Sequence, residues 1–144
     1  MFYSLRLATK SDIDNVKEFV GQAGLSTNGI EASIQQFMLL ERDSSIVGCI
    51  GIEKINGDGL LRSFVASKEI QKAHLMTLLE SVDVVAEKEA LQNVYLVTNE
   101  GASLDFLTIT GFQAMHVDKV PEHIRQNEHV KQAIHKTSTI IMVK

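Results

Sequence analysis

Cysteine and proline are each used once, at Cys49 and Pro121. A lone cysteine excludes an internal disulfide framework and fits a reducing compartment. Positive charge is in deficit as well: 14 Lys and Arg against 18 Asp and Glu leave a formal net charge of -4. Such a chain offers no basic field to polyanions, which disfavours nucleic acid and acidic membrane surfaces as partners. No apolar run approaches the ~20 residues that span a bilayer, and the first ten residues lack the apolar stretch of a signal peptide. The expected location is therefore the cytoplasm. Repeats, low-complexity tracts and blocks of like charge are also missing, so one domain over 1–144 is expected. Glycine is ordinary in number, at nine, yet none falls between Gly59 and Gly101.

What is present is patterned as an α+β chain. Tyr3–Leu7 alternates and is rich in β-formers, and Thr9 followed by Asp12 reads as a helix start. Ile13, Val16, Phe19, Val20 and Ala23 recur at helical spacing up to Gly24, a suitable C-terminal cap. A short helix is expected over 30–36. Strands follow over 37–41 and Ser45–Ile55, turning at Arg42, Asp43 and Ser44. Asn56-Gly57-Asp58-Gly59 is a hairpin signal into a strand over 60–66, which completes an antiparallel meander. Over 68–91 the apolar residues trace one face of a single long helix. A strand over 94–98, a helix over 103–110 closed by Gly111 and a strand over 112–118 come next. Pro121 suits the first turn of a helix carrying Ile124, Val130 and Ile134, and 138–143 reads as a final strand.

Several local sequences add to that order: Leu5-Arg6-Leu7-Ala8-Thr9 before Asp12, Ile46-Val47-Gly48-Cys49-Ile50-Gly51, the strand 60–66, and Asn99 followed by Phe106 and Thr110-Gly111-Phe112. Together they resemble the GCN5-related N-acetyltransferase superfamily over essentially the whole chain. Gly51-Ile52-Glu53, Leu60-Leu61-Arg62-Ser63 and Val120-Pro121 with Ile124-Arg125 look most like its small amino-acid acetyltransferases found with arsenic-resistance operons. The resemblance implies a three-layer α/β/α arrangement, with a mixed, mainly antiparallel sheet of six to seven strands flanked by helices. It implies acetyl transfer from acetyl-coenzyme A, as co-substrate, to the amine of a small molecule, and a homodimer. It also assigns coenzyme contacts to Phe64, Val65 and Ala66, to Gln71, Lys72, Ala73, His74, Leu75 and Met76, and to Asn99 and Phe106.

Departures from the family pattern are as informative. Its phosphate loop runs Gln/Arg-x-x-Gly-x-Gly/Ala, where small residues let phosphate oxygens approach the backbone. Here the loop reads Gln71-Lys72-Ala73-His74-Leu75-Met76, with both small positions replaced. Two readings follow: Lys72 or His74 substitutes side-chain contacts for the lost backbone ones, or the loop is closed and the chain is a silent module that binds a small ligand or a protein partner. Many relatives carry a tyrosine just after the Phe106 position as an acid toward the thiolate; Leu107 stands there, and neither Tyr3 nor Tyr95 can be given that role.

The catalytic candidates are Glu53 and Arg62. Glu53, near the end of its strand, can act as a general base directly or through water, against the plain reading of a solvated strand end. Arg62 lies on one face with Leu60 and Phe64 by period-two alternation. A cation there needs a partner, either a substrate carboxylate or a structural salt bridge to Glu53 or another acid. Ser63 is expected to face the other side. Asn99 has a turn or cap asparagine as its alternative. His74, His116, His123, His129 and His135 show no zinc-site spacing and no metal is expected, although His116 and His123 come from a region that can approach a substrate. Cys49 reads as a small core residue.

Overall fold

The computed structural model describes residues 2–100 and 104–144. Alternating Tyr3–Leu7 forms β1, which pairs antiparallel with β2 (Phe37–Arg42); β2 pairs with β3 (Ser45–Ile55), and β3 with β4 (Asp58–Ala66). Both hairpin corners are two-residue turns with positive φ at each position, Asp43 and Ser44 in the first and Asn56 and Gly57 in the second. Such turns match the twist of the strands they join. A helical crossover leads from β4 to β5 (Val94–Asn99), which runs parallel to it, as a crossover connection permits. β7 (Thr139–Val143) then pairs antiparallel with both β5 and β6 (Gln113–Met115). Among the described residues the strands form one seven-stranded sheet in the order β1-β2-β3-β4-β5-β7-β6.

Alternation along the strands divides the core between two faces. Met38, Leu40, Ile50, Leu96 and Met142 meet α3 (Lys72–Glu80), α4 (Val82–Lys88) and Leu107 of α5 (Leu104–Ile109), together with Phe112. On the opposite face Phe37, Leu39 and Cys49 meet Val16 and Val20 of α1 (Ile13–Gln22) and Ile30 of α2 (Ile30–Ser33). Farther along that face Leu60, Tyr95 and Ile141 meet Ile124 of α6 (Glu122–Arg125) and Val130 of α7 (Glu128–Ala133). The result is the expected three-layer α/β/α arrangement. Gly48 sets how closely α3 lies on the sheet, since a Cβ there would stand 3.1 Å from Leu78.

Element boundaries differ from the sequence expectation where polar side chains interrupt the periodicity. The helix expected over 68–91 starts only at Lys72 and breaks at buried Ser81, whose hydroxyl donates to the Leu78 carbonyl at 2.5 Å. A serine hydroxyl that competes for backbone groups commonly ends or bends a helix. The C-terminal helix is two short ones, with Pro121 just ahead of α6 and Asn127 capping α7. The strand expected over 112–118 is only three residues long, because 117–119 winds into a 3-10 turn capped by His116. The helix over 30–36 is α2 followed by a 3-10 turn. Residue 103, the expected start of α5, lies outside the described residues.

Candidate active site

β4 and β5 pair at only two positions, Gly59 with Val94 and Leu60 with Tyr95, although they run on to Ala66 and Asn99. Beyond those rungs they separate. A cleft of about 900 Å3 opens there, lined by Glu53, Arg62, Ser63, Phe64, Val97 and Asn127 among others. A bulge shapes its floor: the β3–β4 register passes from Gly51 opposite Arg62 to Cys49 opposite Val65. Ser63 has φ +55, a conformation uncommon for a residue with a Cβ, and the Cys49 thiol donates to its carbonyl at 3.2 Å. One extra residue inverts the alternation beyond it. Arg62 therefore shares a face with Leu60 as expected, but Phe64 turns to the opposite face and packs against the α3–α4 core. Val65 packs toward α1 and α2, and Ala66 again toward α3 and α4.

Arg62 is partly buried, and its Nε donates to the Ser63 hydroxyl at 3.2 Å. Its guanidinium passes over Gly29, where a Cβ would lie 3.3 Å from Nη1; Gly29 also has φ +80, so glycine suits that position on two counts. Among the described residues no carboxylate lies within 4.0 Å of it. The structural salt bridge offered as the alternative is thus not formed. Burial pushes the Arg62 guanidinium below its ordinary value, while the Glu53 charge opposes that shift from a distance.

Glu53 is not a freely solvated strand end. It is partly buried, and its Oε2 accepts from Asn127 Nδ2 at 3.4 Å. Asn127 uses its other atom, Oδ1, to cap α7 by accepting from the N–H groups of His129 and Val130. Sequence reasoning missed Asn127. An asparagine ahead of Glu128 and an apolar-spaced stretch is a helix-start signal, but nothing in it points to β3.

The start of α3 is built differently. Gln71 is its N-terminal cap in an extended conformation, and Gln71, Lys72 and Ala73 are all exposed. The N–H groups of His74 and Leu75 donate to the Gln71 carbonyl, while those of Lys72 and Ala73 have no acceptor within the helix. The His74 ring stacks on Tyr3 of β1, with centroids 4.0 Å apart and planes at 25°, and its Nδ1 is buried without a hydrogen-bond partner among the described residues. Leu75 packs into the α3–α4 core and Met76 is partly buried. Asn99 ends β5 opposite Thr139 and Phe106 packs on the same core, so neither lines the cleft with Arg62. Leu107 is buried. Tyr95 is buried too, and burial pushes its phenol up, with the Asp58 charge adding to the effect.

Other candidates have local roles. His123 Nε2 lies 2.6 Å from Oδ2 of buried Asp58, whose Oδ1 accepts from the Asn93 N–H. His116 is exposed and caps the 3-10 turn. Cys49 is buried, and desolvation pushes its thiol up to about 12, as suits a core residue. Among the described residues no group of three or more His, Cys, Asp or Glu side chains is placed to hold a metal ion, and no helix is long and apolar enough to cross a membrane.

No family model matches the chain. The uncharacterized protein YwlB of Bacillus subtilis (strain 168) is 40% identical over 146 residues, covering 100% of this chain and 98% of its own. N-acetylglutamate synthase from Neisseria gonorrhoeae, solved with coenzyme A and N-acetyl-glutamate, superposes with a TM-score of 0.76 at 19% identity. That match covers 100% of this chain and 35% of the synthase, so the chain spans about a third of the synthase's length. An acetyltransferase of the GNAT family from Staphylococcus aureus Mu50 gives a TM-score of 0.74 at 16% identity, over 99% of this chain and 98% of the other. At these identities the solved structures establish the fold.

Proposed function

From the premise that the chain belongs to one family with Bacillus subtilis YwlB and, by its fold, to the GCN5-related N-acetyltransferase superfamily, we propose that it acetylates the amine of a small molecule carrying a carboxylate, an amino acid or an analogue of one, with acetyl-coenzyme A as donor. The observation that carries the acceptor class is Arg62. A partly buried guanidinium with no carboxylate within 4.0 Å among the described residues, facing a cleft of about 900 Å3, is an anion site waiting for its counter-charge. Planar donors favour a carboxylate, and the Ser63 bond to Nε leaves the Nη atoms for it.

The surrounding residues fit the donor. β4 past Leu60 has no β5 partner, so its backbone groups on that side are free for an extended amide-bearing arm. The exposed start of α3 presents the N–H groups of Lys72 and Ala73, and the Lys72 side chain, to phosphate. Bound acetyl-coenzyme A supplies an acetyl group already activated as a thioester. Glu53 takes the proton that the acceptor ammonium must lose before its nitrogen can attack. Leu107, packed in the core, contributes no proton to the departing sulfur.

Calorimetry with acetyl-coenzyme A, followed by thiol release with a panel of amino acids and their amides, tests the reading. Saturable turnover confined to free carboxylates is expected; no acetyl-coenzyme A binding at millimolar concentration would overturn it. The side chains of His74 and Met76 and the burial of Leu107 favour a second reading, a silent module that binds a carboxylate ligand. Arg62-dependent amino-acid binding without turnover of any amine would establish that one instead.

A further inference from the structure

We infer that Asn127 is a positioning residue for Glu53, through which the C-terminal helical segment sets the orientation of a carboxylate on β3. Its catalytic meaning rests on the acetyl-transfer reading above; the contact itself rests on geometry. Asn127 stands between α6 and α7 with φ -61 and ψ 134. Its Oδ1 accepts from the N–H groups of His129 at 3.0 Å and Val130 at 3.3 Å. Once the oxygen is committed to two backbone donors, the amide can offer only its NH2 group in the other direction. That group reaches Oε2 of Glu53 at 3.4 Å.

The residue type at this position matters as well. Ser, Thr, Asp and Asn all cap helices well. Aspartate would place a second carboxylate against Glu53, and the hydroxyls of serine and threonine end one bond sooner. Asparagine alone of the four caps α7 and still extends a donor arm. The platform behind it is firm: Ile124 and Val130 are fully buried against Leu60 and Ile141, and His123 ties α6 to buried Asp58. Glu53 is thus held by one oxygen on a fixed donor. Among the described residues Oε1 has no hydrogen bond, which leaves it for the acceptor's proton.

Asn127→Ser keeps the cap and removes the arm, so it is expected to fold with an unfolding midpoint near that of the wild type. With a carboxylate amine that the wild type acetylates, its kcat falls ~10- to 100-fold while KM for acetyl-coenzyme A stays unchanged. In a Glu53→Gln background the same change has no further effect. Additive losses in that double-mutant cycle would overturn the inference. A readout free of turnover separates it from the reading it rests on. The Asn127 side-chain NH2 resonances shift in Glu53→Gln if the contact exists, and their indifference to that change would sink the inference whether or not the wild type is active. Shifted resonances in a wild type that acetylates nothing would uphold the positioning contact and overturn the acetyl-transfer reading.

Discussion

Two arginines on strands of the same sheet show how a fold separates a cation that holds the chain together from one that is left for a ligand. Arg6, on β1, donates to both oxygens of Asp12 at 2.8 Å, and to Glu41 at 2.9 and 3.2 Å. Those bonds raise its already high pKa and, through the same Arg6 donors first and the Thr9 N–H second, hold the Asp12 carboxyl well below the usual range. Arg62, on β4, meets a serine hydroxyl and a glycine, and burial acts on it in the opposite direction. Two carboxylates neutralise the first; among the described residues none lies within 4.0 Å of the second. A partly buried charge of that kind persists where something else gains from it, and the comparison predicts that the two arginines fail in different ways.

Glu53→Gln is the sharpest way to break the contrast. If Glu53 were to Arg62 what Asp12 is to Arg6, the change would lower stability and leave turnover alone. The expected outcome is the reverse: kcat/KM falls ~10²- to 10⁴-fold, as for loss of a general base, with little change in the thermal midpoint. Thiol-release kinetics and a melting curve on one preparation decide it. Arg62→Met follows in size. Losing a charge-assisted carboxylate contact of about 2–3 kcal/mol raises the acceptor KM ~30- to 150-fold. KM for acetyl-coenzyme A is expected to hold steady, and stability to be unchanged or slightly higher. Arg62→Lys is expected to recover only part of the affinity, because an ammonium lacks the planar fork.

Asp12→Asn reads the other arm. Arg6 is 40% exposed and therefore partly screened, so the cost in unfolding free energy at pH 7 is about 1–2 kcal/mol, with turnover untouched. The pH dependence fixes the sign. A carboxyl whose folded value lies below its unfolded value of about 4 stabilises above that pH, and the contribution is lost as pH falls toward the folded value. The gap between wild type and Asp12→Asn is thus full at neutral pH, begins to close below about pH 4 and vanishes in strong acid. A gap that widened on acidification would refute the assignment.

How much of this the sequence discloses depends on where each partner lies. The order of strands and helices follows from periodicity, and the Asn56-Gly57 corner from turn chemistry, because those signals are local. Arg62 stands out as a charge in an apolar strand. Its lack of an acid partner does not, since that depends on Gly29 and on a bulge at a serine where glycine would have advertised positive φ. The same bulge reverses Phe64, which simple alternation places on the wrong face. His74 and Met76 are visible as missing glycines, yet the stacking of His74 on Tyr3 joins residues far apart in the chain. Asn127 was invisible as a site residue because its cap is local and its bond to Glu53 is tertiary.

Gly29→Ala gives the smallest effect and the most direct check on geometry. Arg62 is placed by two small neighbours, and the methyl group would meet Nη1 at 3.3 Å, a contact the flexible guanidinium can relieve by a few tenths of an ångström. The backbone cannot relieve φ +80 as easily, so about 1 kcal/mol of stability is lost whatever Arg62 does. If Arg62 is the acceptor's anchor, its displacement also raises the acceptor KM, by roughly threefold to fivefold for a loss of under 1 kcal/mol. In an Arg62→Met background that KM effect disappears while the stability loss remains, because strain at Gly29 belongs to the backbone and the affinity belongs to the guanidinium above it. An acceptor KM that still rose in the double variant would mean that Gly29 shapes the cleft independently of Arg62, and that the unpaired cation is not what the acceptor meets.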